Sequence, residues 1–230
     1  MERPLTPEPV FIEEKRLIGT MITGKVSTWA FVVASLAVLF FTAATIFYWL
    51  APQEVAVLFP AVQSQIFQHR QVWRIFSAVF IHADLEHLLS NMYMLWIFCF
   101  FVFGYFGFSM FPVFSILLAD SVNAIAVLSY EPNTQLLGAS GLVYILGGFW
   151  LTLYPLIQRQ YSVINRSMRA VGIALVIFGP STFVPTTSYI THAIGFAMGI
   201  GLGIFYFIKN KEKIRSYETY KISYVEDVLI

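Results

Sequence analysis

The chain has 230 residues, of which 58% are hydrophobic and 12% are charged, and its net charge is +1. A soluble domain carries roughly 25% charged residues, so the composition excludes a soluble globular protein and points to an integral membrane protein. The small net charge gives no electrostatic basis for binding nucleic acid, and the single cysteine, Cys99, excludes an internal disulfide.

Residues 1–27 contain Pro4, Pro7 and Pro9 and are expected to form a flexible cytosolic arm. A bilayer-spanning helix needs roughly 20 mainly apolar residues. The first such stretch is about Thr28–Leu50. It is uncharged and too long for a signal-peptide core, so it reads as a retained helix. A long loop, about Ala51–Asp84, follows. The uncharged run Leu88–Ala119 exceeds one span, and Gly104, Gly107 and Pro112 divide it. It yields a second helix, about Leu85–Phe103, and a third, about Phe111–Tyr130. A fourth covers about Ser140–Ile157. Gly179, Pro180 and Pro185 split the last apolar run into a short fifth helix, about Ala170–Phe178, and a sixth, about Tyr189–Phe207. The expected fold is an all-α membrane bundle of six transmembrane helices, residues 28–208, with a large outer loop after helix one. Residues 209–230 form a charged cytosolic tail with no core of its own.

Six crossings put both termini on one side. Of the 14 Lys and Arg residues, only Arg70 and Arg74 fall on the other side. The positive-inside rule then makes the termini cytosolic, with the cell membrane as the expected location. The starts of helices four and six, carrying Ser140 and His192, face outward.

Ser140 begins a helix, where unpaired backbone N–H groups favour developing negative charge. Gly138 and Gly141 beside it leave room for a substrate backbone. A serine needs a base to act as a nucleophile, and His192 is the only histidine in the last four helices. His192, Gly195, Gly199 and Gly203 fall on one helical stripe, as do Ser140, Tyr144 and Gly148. Glycines at this spacing let membrane helices touch backbone to backbone. If the stripes face each other, Ser140 meets His192. His87 and Asn91, four residues apart, offer two side-chain donors for an oxyanion. Each string taken alone also fits plain helix packing. Cys99 lies in an apolar run and reads as inert packing. Asp120, near the middle of helix three, reads as structural. No Cys/His cluster has zinc-ligand spacing, so neither metal nor cofactor is expected.

In order, the chain presents Trp73-Arg74, His87 with Asn91, Gly138-Ala139-Ser140-Gly141, Tyr144, and His192-Ala193-Ile194-Gly195. Together these resemble the rhomboid intramembrane serine proteases over about Val72–Phe207. The resemblance implies a Ser140–His192 dyad, with Ser140 as nucleophile and His192 as general base. It implies an oxyanion hole from the Ser140 N–H, His87 and Asn91. It also implies that Tyr144 packs near His192, that Trp73-Arg74 stabilises the first loop, and that His82 is structural. The substrates would be transmembrane proteins cleaved near the outer face, with Ser181–Ser188 as a cap and the fifth helix as a side gate. Two other readings compete. One is an inactive rhomboid-like protein that binds membrane clients. The other is a six-helix transporter using Asp120 and His192 as ion ligands, disfavoured because no internal repeat is visible.

Overall fold

The computed structural model describes residues 11–179 and 188–226. The chain opens with strand β1 (Phe11–Gly19) and one 3-10 turn, then enters helix α1 (Ala30–Leu50). Buried Ala30, Ala34, Phe41 and Thr45 fall on one helical stripe. Phe31, Leu36, Leu39, Phe47 and Leu50 point away from the protein and are exposed. An apolar outer surface of this kind suits lipid and would be costly in water.

Short elements fill the segment before the next long helix: α2 (Gln53–Ala56), β2 (Ala61–Val62), α3 (Gln63–Phe67) and α4 (Trp73–Ser77). Helix α5 (Leu85–Phe106) starts at Asp84, whose carboxylate accepts the His87 N–H at 2.7 Å. It stops at Gly107, whose φ of 78° is a left-handed conformation that favours glycine. Helix α6 (Ser115–Ala126) and its flanking turns make one apolar span, Ser109–Ser129. Strand β3 (Gln135–Leu136) pairs antiparallel with β2 just before α7 (Ser140–Ile157). Then come α8 (Val163–Phe178), α9 (Tyr189–Arg215) and β4 (Thr219–Glu226).

Among the described residues, five helices are long and apolar enough to cross a membrane: α1, α5, the α6 span, α7 and α9. The protein is therefore an integral, multi-pass membrane protein. Helix α7 is the centre of the bundle, with 67% of its apolar window buried against 22% for α1. It packs most extensively on α9. A Cβ on Gly195 would lie 2.7 Å from the Gly141 carbonyl oxygen, and one on Gly203 3.2 Å from that of Phe149. A Cβ on Gly199 would strike the Ile145 carbonyl, and one on Gly148 the Phe196 carbonyl. The glycine stripe of the sixth helix thus sits against α7. The close-contact line on α7 runs through Gly141, Ile145 and Gly148; of the expected stripe, Gly148 lies on it and Tyr144 borders it, its Cβ 3.3 Å from where a Gly195 Cβ would stand.

The structure departs from the sequence reading at three places. Helix α8 begins at Val163 rather than Ala170, because the Ser162 hydroxyl caps it by accepting the Asn165 N–H at 3.3 Å. With 16 residues it falls short of the length that marks the other five. Helical structure continues past Phe207 to Arg215, though with a kink at Asn210 (φ −113°, ψ 15°), since Lys and Glu are good helix formers outside the bilayer. Finally, residues 11–19 do not form a free arm. They pair antiparallel with β4, from Phe11 opposite Glu226 to Gly19 opposite Thr219. This ribbon is tied to the α7–α8 connection by the Arg159–Glu218 ion pair at 3.1 Å and by Thr20 Oγ1 donating to Gln158 Oε1 at 3.3 Å.

Candidate active site

Ser140 is the first residue of α7 and is 6% exposed. The turn before it is held from three sides. The Gly138 N–H donates to the Ala78 carbonyl at 2.9 Å, and the Ala139 N–H donates to His82 Nε2 at 3.2 Å. The β2–β3 pairing ties the preceding residues to the first loop. Gly138 has φ 127°, and a Cβ there would come within 2.7 Å of His87 Cε1. Glycine is therefore required twice over, for backbone geometry and for space.

His82 is fully buried and links this turn to α1. Its Nε2 accepts from Ala139, so Nδ1 carries the proton and donates to Thr45 Oγ1 at 3.0 Å. Thr45 passes its own proton toward the Phe80 carbonyl at 3.4 Å, and Trp49 Nε1 donates to the His82 carbonyl at 2.8 Å. Burial, with a smaller contribution from His87, pushes the His82 pKa down from 6.5 to about 3. Between those values the unfolded chain takes up a proton that the folded chain refuses. His82 therefore costs no stability above pH ~6.5, and stability falls as pH drops from there toward 3. His82→Gln should have a lower melting temperature at pH 7 and a shallower acid decline. Equal slopes in a pH series of melting curves for the two proteins would refute this role.

His87 lies in the first turn of α5, its ring edge-on to His82 at 5.2 Å. Asn91, one turn on, is 1% exposed. Its Nδ2 donates to the His87 carbonyl at 3.0 Å, which leaves one N–H for another acceptor, and its buried Oδ1 has no partner among the described residues. The His87 ring lies against Gly138 of the turn before Ser140.

His192 is in the first turn of α9 and is 8% exposed. Tyr144, one turn below Ser140 on α7, stacks flat on its ring, centroids 3.9 Å apart and planes 15° apart. Ser188 caps α9, its hydroxyl accepting the Thr191 N–H at 3.2 Å and meeting the Tyr130 hydroxyl at the end of the α6 span. No hydrogen bond joins Ser140 to His192 among the described residues; such contacts often tighten only with substrate bound. The expected cap, Ser181–Ser188, lies outside the described residues except for Ser188.

The first loop is locked by Arg74, which is 4% exposed. Its Nη1 donates to the carbonyls of Val57 at 2.5 Å and Pro60 at 3.0 Å, and its Nε to Gln71 Oε1 at 2.6 Å. Trp73 beside it is half exposed and faces outward. Asp120 is buried, and its Oδ1 has no partner among the described residues; Asn123 does not serve it, donating instead to the Ile75 carbonyl at 3.1 Å. Sequence reasoning missed Thr45, Tyr130 and Ser188. Thr45 and Tyr130 are hydroxyls whose partners lie far away in the chain, with no local pattern to mark them, whereas Ser188, just before α9, carries the local signal of a helix cap.

Fold and site together define a multi-pass membrane protein with serine, histidine and asparagine side chains gathered at one end of a helical bundle. The family model of the Rhomboid domain matches residues 69–209, well over half of the chain. The chain belongs to the rhomboid family. No curated protein gives a significant match.

Proposed function

We propose that the protein is an intramembrane serine endopeptidase that cleaves transmembrane segments of other proteins, with a Ser140–His192 dyad. The observation that carries this reading is the stacking of His192 on Tyr144, one turn from Ser140, across an α7–α9 contact close enough for backbones to touch. In this mechanism His192 takes the Ser140 hydroxyl proton as Oγ attacks the peptide carbonyl carbon. The oxyanion receives hydrogen bonds from the Ser140 N–H, His87 and the free N–H of Asn91. Collapse breaks the C–N bond, and His192 returns its proton to the leaving amine. Water then attacks the acyl-serine with His192 again as base. The Tyr144 ring fixes the imidazole where a soluble protease uses a carboxylate.

The same reading makes α8 the sixth crossing. Strands β1 and β4, from opposite ends of the chain, pair with each other, and this supports an even number of crossings. With the basic residues concentrated at that end, both termini are cytosolic and Ser140 faces outward. Ile177 is the only described side chain of α8 that is buried, which suits a helix that moves aside for substrate.

A serine-directed fluorophosphonate tests the proposal. The purified chain should be labelled, and His192→Ala should not, because the probe needs an activated hydroxyl. An unlabelled wild-type chain would mean an inactive, client-binding family member instead. His87→Ala or Asn91→Ala should lower kcat by about 10²–10³, the typical cost of one oxyanion donor, with KM little changed. A raised KM at constant kcat would move these residues to substrate binding.

A further inference from the structure

Helix α8 is pinned at its outer end by Phe178, whose ring lies 4.5 Å from Tyr144 and 5.5 Å from Phe98. Toward the β1–β4 side it stands away from α5 and α7, and a cavity of about 470 Å³ opens between the three helices. That volume is within the ~300–1,000 Å³ of small-ligand sites. One wall is aromatic: Phe101 and Tyr105 stack on Trp150, at 4.8 and 5.9 Å. The facing wall is Ile173 and Ile177 of α8. At about 1.5 Å per residue, Trp150 lies roughly 15 Å along α7 from Ser140, so this cavity is separate from the candidate active site.

Polar groups gather at one end of it. Tyr154 and Gln158 line the mouth. The Arg169 guanidinium lies 3.8 Å from the centre of the Tyr161 ring and interacts with the Tyr154 hydroxyl. Two tyrosines thus hold an exposed cation at the mouth. Among the described residues no carboxylate pairs with it, the one ion pair being Arg159–Glu218. We propose that this cavity seats an acyl chain of an anionic phospholipid from the adjoining leaflet, with its phosphate against Arg169. The apolar walls match a hydrocarbon chain. The lone guanidinium supplies charge complementarity at the end where a headgroup emerges. The site is independent of the proposed hydrolysis.

Gly172 lines the cavity, and a Cβ there would meet nothing within 4 Å. Gly172→Trp should therefore fill the space without a clash, and Gly172→Ala serves as a folding control. The full-length chain is equilibrated in mixed micelles with equal phosphatidylglycerol and phosphatidylcholine, and retained lipid is counted by native mass spectrometry. Wild type and Gly172→Ala should retain phosphatidylglycerol preferentially. Gly172→Trp should retain about tenfold less, since the chain loses its apolar seat. Arg169→Gln should keep the lipid but lose roughly fivefold of the preference for the anionic headgroup. A Gly172→Trp protein that holds as much phosphatidylglycerol as wild type overturns the proposal. So does unchanged retention accompanied by a raised KM for a transmembrane substrate, which would give the groove to the substrate. A measurement on the wild-type chain needs no folded variant. In vesicles, mid-chain brominated phosphatidylglycerol should quench tryptophan emission more than brominated phosphatidylcholine at equal mole fraction. Equal quenching by the two overturns the anionic preference.

Discussion

Ser140→Ala is expected to abolish cleavage of a transmembrane test substrate while leaving the melting temperature almost unchanged. Loss of the nucleophile from a soluble serine protease costs roughly 10⁶ in turnover, and the same chemistry is proposed here. The fold should not notice. The turn before Ser140 is held by backbone groups of Gly138 and Ala139, through Ala78 and His82, and not by the Ser140 hydroxyl. Alanine is also a better helix former than serine, so stability should stay within about 1 kcal/mol. Cleavage in liposomes, with melting curves on the same preparations, decides the matter. Residual activity within tenfold of wild type would remove Ser140 from the nucleophile role. A matching loss of stability would mean that the serine holds the turn together.

Gly199→Val should damage the fold first and activity through it. The Cβ would have to occupy the space of the Ile145 carbonyl, which is backbone and cannot rotate away. Overpacking a core typically costs ~1–3 kcal/mol, and a contact with main chain belongs at the upper end. Helices α7 and α9 would be pushed apart, so the proposed dyad would open and turnover would fall with the melting temperature. Gly201→Val is the matched control, two residues on along α9, where a Cβ meets nothing within 4 Å. If Gly199→Val is as stable and active as Gly201→Val, the interhelical contact does not position the dyad.

Much of the bundle is legible in the chain because a membrane leaves so few solutions. The apolar run of α7 ends where its helix ends, at Ser140 and Ile157. The glycine spacing of α9 dictates which face meets a neighbour, and that face is buried. Polar connections are far less legible. The His82–Ala139 hydrogen bond spans 57 residues, and the Thr45–His82 contact 37. A side chain announces its capacity to bond but not its partner. The start of α8 was hidden because Arg166 and Arg169 look like loop, whereas a serine cap and helix propensity carry the helix through them. β4 did carry a signal: Tyr220, Ile222 and Tyr224 alternate with Lys221 and Ser223. A strand is convincing only when its partner is known, and β1 lies far away in the sequence.

That distance sets the order in which the molecule can be completed. β1 is made before its partner, and β4 follows it roughly 200 residues later. At about 5–20 residues per second, the first strand waits some ~10–40 s for its partner. Until then it is an open edge, the form in which strands invite wrong pairings. The run Glu13-Glu14-Lys15-Arg16 in its middle keeps that edge charged and soluble through the wait. Closing the ribbon therefore waits until every helix from α1 to α9 has been made, because the whole bundle lies between the two strands.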